Sequence, residues 1–316
     1  MRFLIKRRLL SGWKITAATF NGFLDDRGLK LSASLAYYTV FSLAPLMMML
    51  VFVLSLYFGK DAFEGKIYPE LKGFVGADAA AQIQSIVKSV QLGKSALAIV
   101  IGAITLIIGA TGIFMEIQDS LNIIWRVKAK PKRGWLKLIT NRLLSFSLVI
   151  ALGFLLMVSL IINGLLTALS DKLSHYLSHF EIVFTLIDVG VTFVVISTLF
   201  GIIFKYLPDV KIGWSHVRTG AIFTAILFML GKYLIGLYIG TMKIGSTYGA
   251  AGSIIIIFVW IYYTSALLYL GAEFTQVYAE FTGCKIEPAE YAVAVEQKEV
   301  ERDVAVLPPQ NPNLKS

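Results

Sequence analysis

Six long apolar runs fill most of this chain, and they restrict its fold more than any other feature of the sequence. A hydrocarbon core roughly 30 Å thick needs about 20 helical residues to cross it, and each run is about that long. Inside lipid the backbone must satisfy its own hydrogen bonds, so each run is expected to be a helix. The sequence therefore predicts an all-α integral membrane protein, a bundle of six transmembrane helices. The predicted spans are Leu35–Phe58, Ser95–Met115, Leu143–Thr167, Ile182–Phe204, Thr219–Ile239 and Ala251–Gln276.

Lys and Arg residues are distributed unevenly between the loops, and this distribution predicts the orientation of the bundle. One side comprises the N-terminal segment, the loops after spans two and four, and the C-terminal tail. It carries about three times as many basic residues as the other side. Basic residues concentrate on the cytoplasmic side of membrane proteins. The N- and C-termini are therefore both expected to be cytoplasmic, with the chain crossing the bacterial cytoplasmic (inner) membrane several times.

The spans divide the chain into three parts. Residues 1–34 are expected to form a cytoplasmic basic amphipathic segment, and residues 35–276 the six-helix transmembrane domain. Residues 277–316 are expected to form a cytoplasmic tail that becomes disordered towards its end. Between the first two spans, the external segment 59–94 has apolar residues at helical spacing and is predicted to lie across the outer mouth of the bundle.

The composition excludes several classes of protein. Hydrophobic residues make up 57% of the chain and charged residues 16%, which excludes an ordinary soluble domain. The net charge of +9 comes from loops placed to face anionic lipid headgroups, so membrane lipids are the expected partners and nucleic acid is not. A single cysteine excludes an internal disulfide and a multi-thiolate metal site. No cofactor and no metal site are predicted.

Two ionisable residues lie well inside predicted spans, at similar depths from the outer side. At a rise of about 1.5 Å per residue, Asp188 is about 9 Å deep in span four and Lys232 about 10 Å deep in span five. Ionisable groups in a bilayer are costly and usually face a partner or a watery cavity. Because consecutive spans run antiparallel, an Asp188–Lys232 pair is predicted. It is either a substrate or proton site in an outward-facing cavity or a structural ion pair, unless Lys232 extends to the membrane surface.

Small residues are expected where membrane helices approach one another closely. Gly236 and Gly240 are four residues apart on the same face of span five as Lys232, and they are predicted to form a helix-packing motif. Gly109 and Gly112, in span two, are also expected to serve helix packing.

A second polar group lies near the inner ends of the spans. Glu116, Asp119 and Asn122 recur every three residues at the end of span two, which keeps them near one helix face. Glu273 lies at the inner end of span six. The carboxylates form either a cation or proton site beside the basic loop, or ion pairs with basic residues such as Arg126 that hold helices together. The second interpretation is favoured.

Span one carries hydroxyl groups close to a proline. Pro45 lacks a backbone donor and clashes with the preceding turn, so a kink is predicted there. The freed carbonyl groups and hydroxyls such as that of Tyr38 either line a polar passage or only restore the broken hydrogen bonds. Tyr38 and Pro45 are therefore candidates for a substrate or ion site.

Five segments of the chain together form a pattern that is specific for one protein family, although each segment alone is a weak indication. They are Leu31–Pro45, Gly109–Trp125, Tyr206–Pro208, Gly245–Gly252 and Leu270–Phe274. This combination resembles the YihY/BrkB family of bacterial inner-membrane proteins over essentially the whole membrane domain. The resemblance implies a six-helix inner-membrane protein. It also implies a link to serum resistance or envelope lipid export, and members have carried the name ribonuclease BN.

The residues do not support a ribonuclease. A nuclease needs clustered carboxylates that hold metal ions, or histidines that act as acid and base, next to a basic groove. The basic loop Arg126–Arg142 contains no acid. No catalytic residue is predicted, and the chain is not expected to be an enzyme.

Two functions remain as hypotheses. The first is a transporter or translocator of a lipid-like or envelope-related amphipathic substrate, which draws on the charged residues inside the spans and the kinked first helix. The alternative is a non-transporting membrane scaffold for envelope assembly, which acts through its basic cytoplasmic loops.

Overall fold

The computed structural model describes residues 2–42, 81, 111–130, 180–241 and 250–296. Helix α1 (Arg2–Asp25) is followed, after a two-residue turn, by helix α2, which is described over residues 28–42. Helix α3 is described over residues 111–124 and leads into strand β1 (Val127–Ala129).

Long helices dominate the second half of the described chain. Helix α4 (Phe180–Tyr206) is joined to helix α5 (Trp214–Thr241) by a loop that contains strand β2 (Val210–Lys211). Helix α6 (Ala250–Phe281) follows. Helix α4 ends just before Pro208 because the residue that precedes a proline disfavours the helical conformation.

Each of these three helices contains a stretch long and apolar enough to cross a membrane: Leu186–Tyr206, Trp214–Tyr238 and Ile255–Phe281. The stretches coincide with predicted spans four, five and six. The described parts of predicted spans one and two, residues 35–42 and 111–115, are helical. The rest of those spans, span three and the external segment, apart from residue 81, lie outside the described residues. The helical membrane class is confirmed, whereas the number of six spans and the cytoplasmic termini stay predictions.

Helices α5 and α6 approach closely because glycines on each helix face threonines on the other. A side chain at Gly220 would overlap Thr275, and a side chain at Gly271 would overlap Thr224. Thr224 Oγ1 donates a hydrogen bond to Gly220 O at 2.7 Å, and Thr275 Oγ1 donates one to Gly271 O at 2.6 Å. Each threonine hydroxyl is thus bonded within its own helix, and the same hydroxyl oxygen is the atom that lies closest to the glycine of the facing helix. Small residues commonly permit such close packing between membrane helices.

Two short antiparallel ribbons tie the C-terminal tail to two loops. Strand β3 (Glu287–Pro288) pairs with β2. Strand β4 (Ala292–Ala294) pairs with β1, where Val127 lies opposite Ala294. A single tail segment therefore holds the loop after α3 and the loop after α4 at the same end of the helices.

Helix α1 packs against α6 near this end of the bundle. Thr19 and Phe23 are buried on its packed face, whereas Trp13 and Phe20 are exposed on the other. The chain then turns at Asp26 and enters α2. Apolar side chains from α1, α3, α4, α5 and α6 form one continuous buried cluster here.

Candidate functional site

A buried acid, Asp209, lies between α3 and the tail at the end of the bundle that carries the ribbons. Gln118 Nε2 donates to Asp209 Oδ1 at 3.1 Å, and Asn122 Nδ2 donates to Asp209 Oδ2 at 2.9 Å. In return, the backbone N–H of Asp209 donates to Asn122 Oδ1 at 2.8 Å. Because a buried carboxylate needs donors for its oxygens, these bonds fix the loop after α4 against α3.

Tyr291, from the tail, completes this group on the opposite side. Its hydroxyl forms a hydrogen bond with the Asp209 side chain. Burial, together with the negative charge of Asp209 and this hydrogen bond, raises the pKa of Tyr291 to about 12. The backbone N–H of Ala289 also donates to Asp209 O at 2.9 Å. Gln118, Asn122, Asp209 and Tyr291 are called the Asp209 cluster below.

A second polar group joins three separate parts of the chain at the same end. Arg126 Nη2, just after α3, lies 2.7 Å from Asp26 Oδ1 in the turn before α2, and the Asp26 side chain is only 3% exposed. The carboxyl group of Glu273, on α6, lies within hydrogen-bonding reach of Asp26. Burial raises the pKa of Asp26 above its ordinary 3.8, although the Arg126 guanidinium acts in the opposite direction. These three residues are called the Asp26–Arg126–Glu273 cluster.

The local backbone is shaped around the second cluster. Gly22 makes room for the Glu273 carboxyl group, since a Cβ at Gly22 would lie 2.8 Å from Glu273 Oε2. Arg27 and Arg126 have φ angles of 55° and 54°, and they are the non-glycine residues with positive φ in the described ranges. The left-handed conformation costs a non-glycine residue about 1–2 kcal/mol. The strain therefore lies in the two turns that bring Asp26 and Arg126 together.

A pocket of about 470 Å³ opens where the two clusters meet. Ligand pockets in proteins are typically about 300–1,000 Å³. Asp119 lies at the edge of this pocket, where partial burial, followed by the charges of Glu116 and Asp209, raises its pKa although the side chain stays partly exposed. The lining of this pocket combines apolar side chains with charged and polar ones: Met115, Ile123, Val127 and Val295 with Gln118, Asp119, Asn122, Arg126, Lys128 and Asp209.

A second pocket, of about 570 Å³, shares Arg126 and Val127 with the first and is lined further by Trp125, Gln276 and Glu280. Across the ranges that the structure describes, no group of three or more His, Cys, Asp or Glu side chains is placed to hold a metal ion. Because the two pockets share Arg126 and Val127, the pockets and the two clusters form one polar region around the end of α3. This region lies where the loops after α3 and α4 leave the helices.

Comparison with known families places this region in a wider group of proteins. The sequence profile of the family described as Virulence factor BrkB matches residues 19–292, which include both clusters. The chain belongs to the BrkB family. Relatives of this BrkB-family chain carry the name UPF0761 membrane protein.

Two of these relatives show the extent of the similarity. The Tolumonas auensis protein is 30% identical over 268 residues, covering 81% of this chain and 82% of the relative. The Stenotrophomonas maltophilia protein is 27% identical over 263 residues, covering 82% of this chain but 59% of the relative. The chain thus spans about six tenths of the length of the latter BrkB-like protein. No solved structure matches the chain.

In this BrkB-family chain, the structure separates the acids that the sequence places near the inner ends of the spans. Asn122 joins Asp209, and Asp119 is exposed at the edge of the first pocket. Glu116 is half-buried. Glu273 reaches Asp26 instead, on the other side of Arg126.

Asp188 and Lys232 lie on facing parts of α4 and α5. Asp188 is exposed, Lys232 is half-buried, and the two side chains interact electrostatically. Lys232 Nζ also lies 5.6 Å from the centroid of the Tyr233 ring. The role of this pair as a substrate or proton site stays a prediction.

The remaining predicted residues concern helix packing and span one. Tyr38 on α2 lies against Gly112 on α3, where a Cβ would be 3.4 Å from Tyr38 Cδ1. At Gly236, no atom of the described residues would lie within 4 Å of a Cβ. Pro45 and Gly109 lie outside the described residues, as do the surroundings of Gly240.

Sequence reasoning missed two residues that organise this region, Asp26 and Asp209. Both lie in segments in which basic residues outnumber acidic ones. The available signal was the isolation of these acids: Asp25 and Asp26 are the only acids in residues 1–34, and Asp209 is the only acid in residues 205–218. An isolated acid in a basic loop at a helix end is a candidate for a buried ion pair or hydrogen-bonded anchor.

Proposed function

We propose that this BrkB-family membrane protein translocates a lipid-like or envelope-related amphipathic molecule, and that the pocket of about 470 Å³ at the end of α3 binds the polar part of that molecule. The proposal places the protein in the bacterial inner membrane as a multi-pass protein with both termini in the cytoplasm. It includes no catalytic step.

The observation that carries the proposal is the mixed lining of this pocket. Met115 and Ile123 are large apolar side chains that are 46% and 36% exposed on α3. Arg126 and Lys128 lie beyond them, at the end of the helix and in β1. A molecule with an apolar chain and an anionic headgroup matches this order, because its chain would contact the apolar residues while the headgroup meets the cations.

The experiment is thermal unfolding of the full chain in lipid nanodiscs, with a panel of phospholipids and soluble headgroup analogues such as glycerol phosphate. A ligand that binds only the folded protein stabilises it by about 2.7 kcal/mol at one hundred times its dissociation constant. We expect a saturable increase in the unfolding midpoint with an anionic member of the panel.

Lys128→Met should abolish this increase, because it removes a pocket cation. Lys211→Met is the matched control: Lys211 is also exposed and also lies in a short ribbon, but it pairs with Glu290 and does not line the pocket. If both variants lose the ligand-induced increase in the unfolding midpoint equally, the effect is a nonspecific one of positive charge, and binding in this pocket is contradicted. A headgroup-specific shift would justify flux measurements in vesicles with the same two variants.

A scaffold is the second candidate, and the ribbons favour it. Strands β3 and β4 hold two loops in a fixed arrangement, which provides a defined surface for a partner protein. A flat ligand panel, together with cross-links from the exposed Lys128 or Lys211 to one partner protein in cells, would replace the translocator with the scaffold.

A further inference from the structure

The Asp26 and Glu273 side chains form a buried pair of neighbouring acids. Asp26 is 3% exposed at its side chain, and Glu273 is 1% exposed as a residue. Glu273 Oε2 lies against Gly22, and Glu273 Oε1 has no hydrogen-bond partner among the described residues. An orphaned carboxyl oxygen at this depth is costly, because a buried polar atom without a partner keeps its full desolvation penalty.

The charges around this pair are unequal. Arg126 is the cation that faces both acids, and it contacts Asp26 directly. Asp25, the other charged group that acts on both, is an acid and lies exposed at the end of α1. Two neighbouring carboxylates in a buried place cannot both ionise easily. One proton shared by the pair leaves Asp26 ionised against Arg126 and makes Glu273 a donor to Asp26, so the buried cluster becomes neutral.

We propose that Asp26 and Glu273 form a proton-binding site between the turn before α2, the end of α3 and helix α6, which takes up and releases one proton. The proton moves to a carboxylate oxygen from water or hydronium and returns to water on release, so no other reactant is needed. If the proposed translocation is correct, this site couples it to a proton gradient, and that coupling rests on the proposed function.

A proton fits this site better than a metal ion. Among the described residues, two carboxyl groups are the anionic ligands of the buried cluster, and the Arg126 guanidinium within 2.7 Å of one of them repels a second cation. Hard cations such as Ca²⁺ and Mg²⁺ need about six or more oxygen ligands. A shared proton needs only two oxygens in hydrogen-bonding reach.

Buried hydroxyl groups extend from this site along the contact between α3 and α6. Tyr269 lies one helical turn before Glu273, and its buried hydroxyl lies within hydrogen-bonding reach of the buried Ser120 hydroxyl. Apart from each other, these two hydroxyls have no hydrogen-bond partner among the described residues, and Glu116 acts on Tyr269 electrostatically. These groups provide donors and acceptors through which a proton leaves the carboxyl pair toward the membrane-embedded part of the bundle.

The test is infrared difference spectroscopy of the full chain in nanodiscs, titrated with pH. A protonated carboxyl group has a C=O stretch that a carboxylate lacks. Exposed acids ionise near pH 4. We expect the unmodified protein to keep a protonated-carboxyl band above roughly pH 6 and to lose it on further titration. Absence of any such band above that pH would refute the proton site without recourse to a variant.

Two variants and one control assign the band. Glu273→Gln and Asp26→Asn keep the shape of each side chain and should each abolish it. Glu280→Gln removes an acid two turns further along α6 that is exposed and bonds to Gln276, so it should leave the band unchanged. A band that survives both Glu273→Gln and Asp26→Asn belongs elsewhere and overturns the assignment.

The same preparations separate this inference from the proposed function. In one outcome the carboxyl band titrates but no lipid or headgroup analogue changes the unfolding midpoint. That outcome supports the proton site and contradicts translocation. A specific ligand shift with no titrating band rejects the proton site alone. Where both are present, substrate flux that is unchanged in Glu273→Gln rejects the coupling.

Discussion

Thr275 of α6 occupies the space that a side chain at Gly220 of α5 would need, and the same relationship recurs in reverse at Thr224 and Gly271. The two helices are therefore matched at two levels one turn apart. Each contact combines a missing side chain on one helix with a threonine whose hydroxyl is already bonded within the other. This arrangement lets two apolar helices approach closely without a buried hydroxyl left over.

Gly220→Ala should destabilise the protein, because the added methyl group must displace Thr275 or separate the helices. Overpacking of this kind costs about 1–3 kcal/mol. Gly236→Ala is the matched control on the same helix, where no described atom would lie within 4 Å of the new Cβ. Alanine is favoured over glycine in a helix by about 0.5–1 kcal/mol, so the control should be neutral or stabilising. Thermal unfolding in nanodiscs measures the stability of both variants. Equal midpoints would contradict the close glycine–threonine packing of α5 against α6.

Asn122→Leu should loosen the tail as well as α3. It removes a donor from the buried Asp209 carboxylate and the acceptor of the Asp209 N–H. Hydrogen bonds to charged groups contribute about 1.5–3 kcal/mol each. Gln118→Leu removes only one partly buried bond and should have a smaller effect. The measurement is amide hydrogen exchange over residues 287–294. Unchanged protection there in Asn122→Leu would show that Asp209 does not anchor the tail.

Alkaline pH should weaken the contact of Tyr291 with Asp209. The folded-state pKa of Tyr291 is raised from 10.0 to about 12. Because the folded form holds its proton more tightly than the unfolded form, this contribution is complete below pH 10 and is lost as the pH rises through about 12. The difference in unfolding midpoint between the unmodified protein and Tyr291→Phe should shrink over that interval. A difference that stays constant or grows there would contradict the assignment.

Arg27→Gly and Arg126→Gly should have opposite effects, although the two arginines have nearly the same φ. Glycine relieves a left-handed strain of about 1–2 kcal/mol at either position, less the extra freedom it gives the unfolded chain. Arg27→Gly should therefore be neutral or slightly stabilising. Arg126→Gly also removes the cation from the buried Asp26, so it should destabilise. Matching unfolding midpoints for the two variants would show that the ion pair contributes nothing to stability.

Apolar length was sufficient to predict the helices that contain spans four, five and six. A run of about 20 apolar residues has few alternatives in a membrane, so its structure depends on local sequence alone. Helix packing is less predictable than helix length, and the packing role of Gly236 stays a prediction. Spacing of small residues identifies a helix face that permits close approach, but the neighbouring helix decides which glycine is used. Among the described residues, Gly231 lies against Tyr263, and Gly236 does not meet a neighbour.

The polar region was harder to predict, because its members are far apart in sequence. Asn122 and Asp209 are 87 residues apart, and sequence spacing carries no signal for a contact at that range. The periodic Glu116, Asp119 and Asn122 were found because they share one helix. The other members of the two clusters come from a turn, a loop, helix α6 and the tail, whose positions depend on the packing of all the helices.

The ribbons also impose an order on biosynthesis. Strand β1 leaves the ribosome long before its partner, since Val127 pairs with Ala294. At about 5–20 residues per second, β1 waits on the order of 10 seconds for β4 to be made. Until then the loops after α3 and α4 lack the segment that joins them, even after their helices have entered the membrane. Of the strands in the two ribbons, the last to be translated, β4, is therefore the one that closes this end of the protein.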